Sequence, residues 1–205
     1  MNPNPTPAPV QMACKLDAVI ATSELDGRVG RRSDIQVENR ELMKLTVELS
    51  KSPHNFFQCL VDTVIKLTQA ESSGISLLDE KNGRFVWPAV AGGLFPYLGG
   101  GTPSNFGPCG TVLERDEPIL FQHPERHFTY LEPIAPALVE VLLIPFYLNG
   151  KGVGTVWAVI HSPNKKFEPE DRRLLVELSG YASAAYKALV EVGAIDPLLE
   201  QFETA

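Results

Sequence analysis

Two runs of apolar residues, VEVLLIPFYL (139–148) and KGVGTVWAVIH (151–161), flank the dipeptide Asn149-Gly150. Asn-Gly between strand-like runs is the strongest short-range signal for a β-hairpin, because both residues accept the positive φ of a two-residue turn. The chain is thereby committed to antiparallel sheet. A second hairpin stands upstream, where SGISLLD and RFVWPAVAG are joined by Glu80-Lys81-Asn82-Gly83, with glycine again available for φ > 0.

Helical periodicity brackets these strands. Leu42, Leu45 and Leu49 share one stripe of a helix starting near Val37. Ser52-Pro53 reads as an N-cap with proline at the first helical position. Phe56, Phe57, Leu60, Val61, Val64, Ile65 and Leu67 then give the next helix, to about Ala70, a broad core-facing surface. Near the C-terminus Glu168, Glu170 and Asp171 stand where a helix dipole favours negative charge. Leu174, Leu175, Leu178, Tyr181, Ala182, Ala185, Tyr186 and Leu189 carry that helix on for about five turns. Between the hairpins lie a glycine-rich crossover (Gly92-Gly93, Gly99-Gly100-Gly101), a short helix around Cys109–Arg115 and a strand at Pro118–Phe121. The expected fold is α+β: an antiparallel sheet of five to six strands with N- and C-terminal helices packed on one face.

Residues 1–36 read as a flexible extension, too proline-dense at MNPNPTPAP for a helix, with a short helical turn near Leu16–Ile20. Residues 37–190 form the domain, and 191–205 read as a tail or the start of a linker helix. A 205-residue chain suits one domain plus extensions, and 44% hydrophobic with 21% charged residues is a soluble, globular balance. A net charge of −7, with Gly30-Arg31-Arg32 its one basic run, argues against nucleic acid. Cys14, Cys59 and Cys109 are odd in number and lack a CxxC spacing, so neither a zinc site nor a disulfide framework follows. A reducing cytoplasm is the expected location. No run has the length of a membrane span, and no membrane partner is expected.

The stretch NFGPCGTVLERDEPILFQHPER, Asn105 to Arg126, puts a lone cysteine at a helix N-terminus in a loop over the sheet. Together with SSGISLLD, RFVWPAVAG, EVLLIPFYLNGKGVGTVWAVIH and FEPEDRRLLVELSGYASAAYKAL it resembles a GAF domain, a small-molecule-sensing module of signalling proteins. The resemblance runs from about Val37 to Leu189 and is greatest to GAF domains near the N-terminus of bacterial sensor histidine kinases. It implies a profilin-like fold and a non-catalytic sensory role in two-component signal transduction. It also implies a small cavity under Gly92–Tyr130 for an unidentified small-molecule ligand, the cofactor being unknown. The terminal helices would form a homodimer, with Gly180, Ala182, Ser183, Ala184 and Ala185 permitting close approach. The sequence holds no His-box helix, ATP-binding half or receiver pattern, so a histidine kinase or other output domain is expected in cis or in trans. The ending at Phe202–Ala205 reads as that of a fragment.

The pocket candidates are Trp87, Tyr97, Phe106, Cys109, His123, Arg126, His127, Tyr130 and Trp157. A helix N-terminus lowers a thiol's pKa and would make Cys109 a redox or metal-ligand candidate. The alternative is a small buried apolar residue in a tight Gly-Pro-Cys-Gly turn. That turn resembles the G-x-C-G of one GAF enzyme, the free methionine-R-sulfoxide reductase. The attacking cysteine of that enzyme would fall in His123–Glu140, which has none. Covalent bilin attachment, as in phytochrome GAF domains, would need a thiol in Tyr130–Val139 and finds none, although His161 resembles a histidine of those domains. The run Asn164-Lys165-Lys166-Phe167 through Asp171 resembles part of a cyclic-nucleotide motif but has Arg172 for its final Glu and too short a spacer. Phe167 plugging the core and Glu168–Asp171 starting a helix account for it.

His123 and His127, four apart, would share a helix face and with Cys109 make a soft three-ligand metal set, but Pro124 stands between them. HPERHFTY reads instead as a pocket lid, with Arg126 able to meet an anionic group bidentately. No catalytic residue and no metal ligand is therefore assigned. A ligand-free structural dimerisation domain is the remaining alternative. A filled interior under the crossover would support it, whereas a solvent-connected cavity above roughly 300 Å³ would favour sensing.

Overall fold

The computed structural model describes residues 14–51 and 53–202. The expected N-cap Ser52 and the proline-rich start of the chain lie outside the described residues. The helices are α1 (Thr22–Asp26), α2 (Ile35–Lys51), α3 (Pro53–Leu67), α4 (Pro108–Arg115), α5 (Pro169–Glu191) and α6 (Ile195–Glu200). The strands are β1 (Ser72–Asp79), β2 (Arg84–Gly92), β3 (Gly101–Pro103), β4 (Ile119–Gln122), β5 (Glu140–Leu148) and β6 (Lys151–Ile160). They form one antiparallel sheet in the order β3-β2-β1-β6-β5-β4. The sixth strand, β3, is the end of the glycine-rich crossover, which pairs with the start of β2.

Period-two alternation divides the core in two. Ile75, Leu77, Leu142, Ile144, Val156 and Ala158 face α3 and α5, whose Phe56, Leu60, Val64, Leu175, Leu178 and Ala182 are buried against them. The opposite face carries Phe85, Trp87, Val90, Val141, Leu143, Trp157 and Val159 and is covered by α4 and the irregular chain around it. Helices α2, α3 and α5 thus lie on one side of the sheet, as the periodicities predict.

A β-bulge positions the second face. Ile75 pairs with Ala89 but Leu77 pairs with Val86, so Ser76 opposes both Trp87 and Pro88. One extra residue in β2 puts Trp87 and Val90, three apart, on the same side and tolerates a proline that donates no ladder bond.

Part of the expected extension, residues 14–34, is packed on the domain. Ala21 N–H donates to Leu120 O at 2.8 Å and Gln122 N–H to Val19 O at 2.8 Å, covering the free edge of β4. Leu25 and Val19 are buried, and Arg28 holds the buried Glu140 through two bonds of 2.7 and 3.0 Å. Arg31 reaches the buried Asp171 at 2.6 Å, and Arg172 reaches Asp26 at 2.5 Å. The expected helical turn is present as a single 3-10 turn, Leu16–Ala18. At the other end α5 does not run on as a linker helix. Gly193 (φ +67°) reverses the chain, Ala194 N–H donates to Leu189 O at 2.8 Å, and α6 folds back so that Ile195 is buried in the helix-side core.

Candidate functional site

Between the second sheet face and its irregular cover lies a partly open apolar chamber of about 50 Å³. Trp87 from the bulge and Trp157 from β6 form one wall, their rings edge-on with centroids 5.6 Å apart. Val141, Leu143 and Val159 make the floor, and Leu94, Leu131 and Leu138 the roof. The Trp157 indole fits because Gly74 lies beneath it, where any side-chain carbon would collide with the ring. Its Nε1–H donates to Ser76 Oγ at 3.1 Å. Among the described residues no charged side chain lines the chamber.

Cys109, at the start of α4, also lines the chamber. Its thiol donates to Ser76 Oγ at 3.3 Å and it is 3% exposed. Burial pushes the thiol above its ordinary pKa, and the neighbouring hydroxyls of Ser76, Thr155 and Thr102 oppose that shift without reversing it. Of the two readings of Cys109, the small buried residue in a tight turn is the one the structure bears out, because desolvating a thiolate costs more than a short helix returns. All three cysteines are free, and Cys59 sits on α3, across the sheet from Cys109.

The other candidates divide by position. Phe106, His127 and Tyr130 cluster around Phe128 on the outside of the cover, with ring centroids 4.7 to 6.5 Å apart. Burial raises the Tyr130 phenol, and its oxygen lies close to Gly107, just before Cys109. Tyr97 Oη accepts the Ala135 N–H at 2.9 Å and so ties the two halves of the cover together. His123 and His127 do not share a helix face. His123 adopts a left-handed conformation (φ 47°) ahead of a 3-10 turn, Pro124–Arg126, and contacts Glu125, whereas His127 Nδ1 lies 2.6 Å from Cys14 O. Arg126 is exposed, and its guanidinium has no partner among the described residues. The proposed lid therefore places its cation outside the chamber. Among the described residues no group of three His, Cys, Asp or Glu side chains could hold a metal ion.

His161 closes the far end of the cover. Its Nδ1 lies 2.8 Å from Ala137 O and its Nε2 lies 2.7 Å from Ser72 Oγ, which also accepts the Leu94 N–H at 3.0 Å. The carbonyl can only accept, so Nδ1 carries a proton toward it. One imidazole thus fastens both cover segments to the sheet.

Of the nine candidates, the chamber takes Trp87, Cys109 and Trp157. Sequence reading missed the floor and roof. The floor was within reach: Val141, Leu143, Trp157 and Val159 alternate along the hairpin and pair across it, Leu143 with Trp157 and Val141 with Val159. Roof residues such as Leu94 and Leu138 lie in irregular chain and have no periodic signal.

The GAF domain family model matches residues 50–186, most of the chain. The chain belongs to the GAF domain family. Among solved structures it is similar to the GAF domain from an Acinetobacter phosphoenolpyruvate-protein phosphotransferase, at 23% identity and a TM-score of 0.67 over 80% of this chain and 99% of that one. It is also similar to a free methionine-R-sulfoxide reductase from Neisseria meningitidis, at 12% identity and a TM-score of 0.64 over 80% and 97%. The second GAF domain of DevS from Mycobacterium smegmatis matches at 17% identity and a TM-score of 0.56 over 68% and 96%. At these identities the likeness is one of fold. No curated sequence matches the chain. No described helix is long and apolar enough to cross a membrane.

Proposed function

We propose that this GAF domain is a non-catalytic regulatory module of a bacterial cytoplasmic signalling protein of the two-component type, and that its chamber senses a small uncharged molecule. The wholly uncharged lining of the chamber among the described residues carries the reading. A charged metabolite buried there would lose several kcal/mol of hydration with no partner to offset it. Cyclic nucleotides and free amino acids, including methionine sulfoxide, are disfavoured on that ground. The buried, neutral Cys109 with no second cysteine beside it disfavours thiol chemistry as well. The proposal extends to a homodimer through the terminal helices, with the output domain in cis or trans as its partner; Ala182 and Ala185 are buried in the helix-side core, which leaves Gly180, Ser183 and Ala184 as the small residues open to it.

The chamber volume favours a second reading, a ligand-free structural dimerisation domain. About 50 Å³ is well below the size of a metabolite pocket. Native mass spectrometry with an absorption spectrum on freshly purified protein separates the two. A dimer carrying a bound mass or a visible band supports sensing. A bare, colourless dimer supports the scaffold, and a methionine sulfoxide reductase activity abolished by Cys109→Ser would overturn both.

A further inference from the structure

The chain that follows α5 returns to the cover of the chamber. Phe202 places its ring on the backbone of Gly99, so that a side-chain carbon at Gly99 would stand 2.8 Å from Phe202 Cδ1. Its carbonyl accepts from Arg84 Nη2 at 3.0 Å, and the same guanidinium is held by Asp79 at 3.3 Å. Gly99 in turn is bonded to the chamber wall: its N–H donates to Trp87 O at 2.9 Å, and Trp87 N–H donates to Gly100 O at 2.8 Å. Gly99 (φ +81°) supplies both the left-handed turn and the bare surface the ring needs. Two contacts therefore separate the C-terminal segment from the indole that lines the chamber.

We infer that the α6–Phe202 segment is a strap that holds the glycine-rich crossover shut over the chamber, so that enlarging the chamber and docking Phe202 exclude one another. The chamber is small in this structure because the crossover is clamped. A guest larger than about 50 Å³ must push Trp87 and the Gly99 loop outward, and the ring then loses its seat. By linkage, releasing the strap must in turn favour the guest by the same factor, ordinarily about 5- to 150-fold. The strap lies beyond the last long helix, so the event is delivered at the C-terminal side of the domain. Only the guest half of this linkage rests on the sensing reading; the clamp itself does not.

Hydrogen exchange and acrylamide quenching test the clamp without any ligand, because both tryptophans of the chain lie in the same chamber wall. Phe202→Ala is expected to speed exchange of the Trp87 and Gly99 amides about tenfold and to raise quenching, while the β5–β6 amides keep their protection. Arg84→Gln, which cuts the same clamp from the other side, should do likewise, and Phe202→Tyr should behave as wild type. Unchanged exchange at Trp87 and Gly99, or an acceleration spread evenly over the sheet, would overturn the strap. Benzene serves as the guest probe, since an apolar cavity of about 150 Å³ accepts it. Tighter benzene binding by Phe202→Ala supports the linkage; equal binding by both forms overturns it. If benzene binds neither form, the sensing reading and the guest half fall together, and the exchange data decide the clamp.

Discussion

The indole of Trp87 stands edge-on to that of Trp157, centroids 5.6 Å apart at 62°, although the two residues belong to strands separated by β1. Nothing but Gly74 and Ser76 of that intervening strand lies between their attachment points on this face. The pair is therefore both a core contact, adding about 0.5–1.5 kcal/mol beyond area burial, and the wall that limits the chamber. Trp87→Ala should cost about 3–5 kcal/mol, measured by denaturant unfolding, because the bulge cannot collapse to fill the space. The same variant should gain a benzene-induced rise in Tm absent from the wild type. A stability loss below about 1 kcal/mol would mean that the cover relaxes onto the gap.

Cys109 should resist alkylation in the native state while the half-buried Cys14 and Cys59 react. Its folded pKa is raised by burial, so at alkaline pH the unfolded chain ionises first. The stability contributed by the neutral thiol is complete below about pH 9, the unfolded value, and is lost as pH rises toward the folded one. Wild type should therefore lose stability faster than Cys109→Ala above pH 9, a comparison that thermal melts across pH 8–11 make directly. Labelling of Cys109 at the rate of Cys59 would contradict the burial argument.

Arg28 and Glu140 fasten the N-terminal segment to the edge of the sheet, 112 residues apart in sequence. Glu140 is 1% exposed and also accepts from Phe167 N–H and Gln122. Arg28→Ala leaves a buried carboxylate without its cation and should cost about 3–5 kcal/mol in urea unfolding. The double variant Arg28→Met with Glu140→Leu should recover most of that loss, because it removes the uncompensated charge as well as the pair. No recovery would show that the ion pair itself, rather than the burial of its members, sets the stability.

This clip also marks the limit of what the sequence made legible. The two hairpins, α3 and α5 each carry a local period, so strand order and the helix face follow from residues close together in the chain. Arg28 looks like any surface arginine until Glu140, Phe167 and the β4 edge are brought to it by the fold. Cys109 is legible as a helix-start cysteine and as a small buried residue in a tight turn, and the packing of Thr102, Ser76 and Thr155 around it supplies the desolvation that decides between activation and burial. His123 and His127 have a helical spacing, but the left-handed conformation of His123 before Pro124 and the 3-10 turn that follows take them off a common face. Phe202 gave no signal at all, since its partner is the bare backbone of Gly99.

Glu71 gives the chain its acid limit. It precedes β1 and gathers three donors at the end of β6: Ser162 Oγ at 2.6 Å, Ser162 N–H at 2.8 Å and His161 N–H at 2.7 Å, with Lys165 Nζ at 3.1 Å. Partial burial raises the carboxyl pKa, but the bonds from Ser162 and His161 and the Lys165 charge outweigh it and bring the value down to about 2. A carboxylate whose folded pKa is depressed stabilises the fold above its unfolded value and loses that stability as pH falls through the folded one. The window is therefore from pH 4.5 down to about 2. The shift corresponds to at most about 3 kcal/mol, and solvent screening at this partly exposed site reduces it. Glu71→Gln should lower Tm at pH 7, and the two melting curves should converge as the pH approaches 2. Because the same carboxylate accepts the His161 N–H, the variant should also loosen Leu94 and Ala137, which His161 and Ser72 fasten to the sheet. Faster hydrogen exchange at Leu94 N–H at pH 7 is the companion readout; parallel Tm curves down to pH 2 would show that Glu71 carries no linked proton.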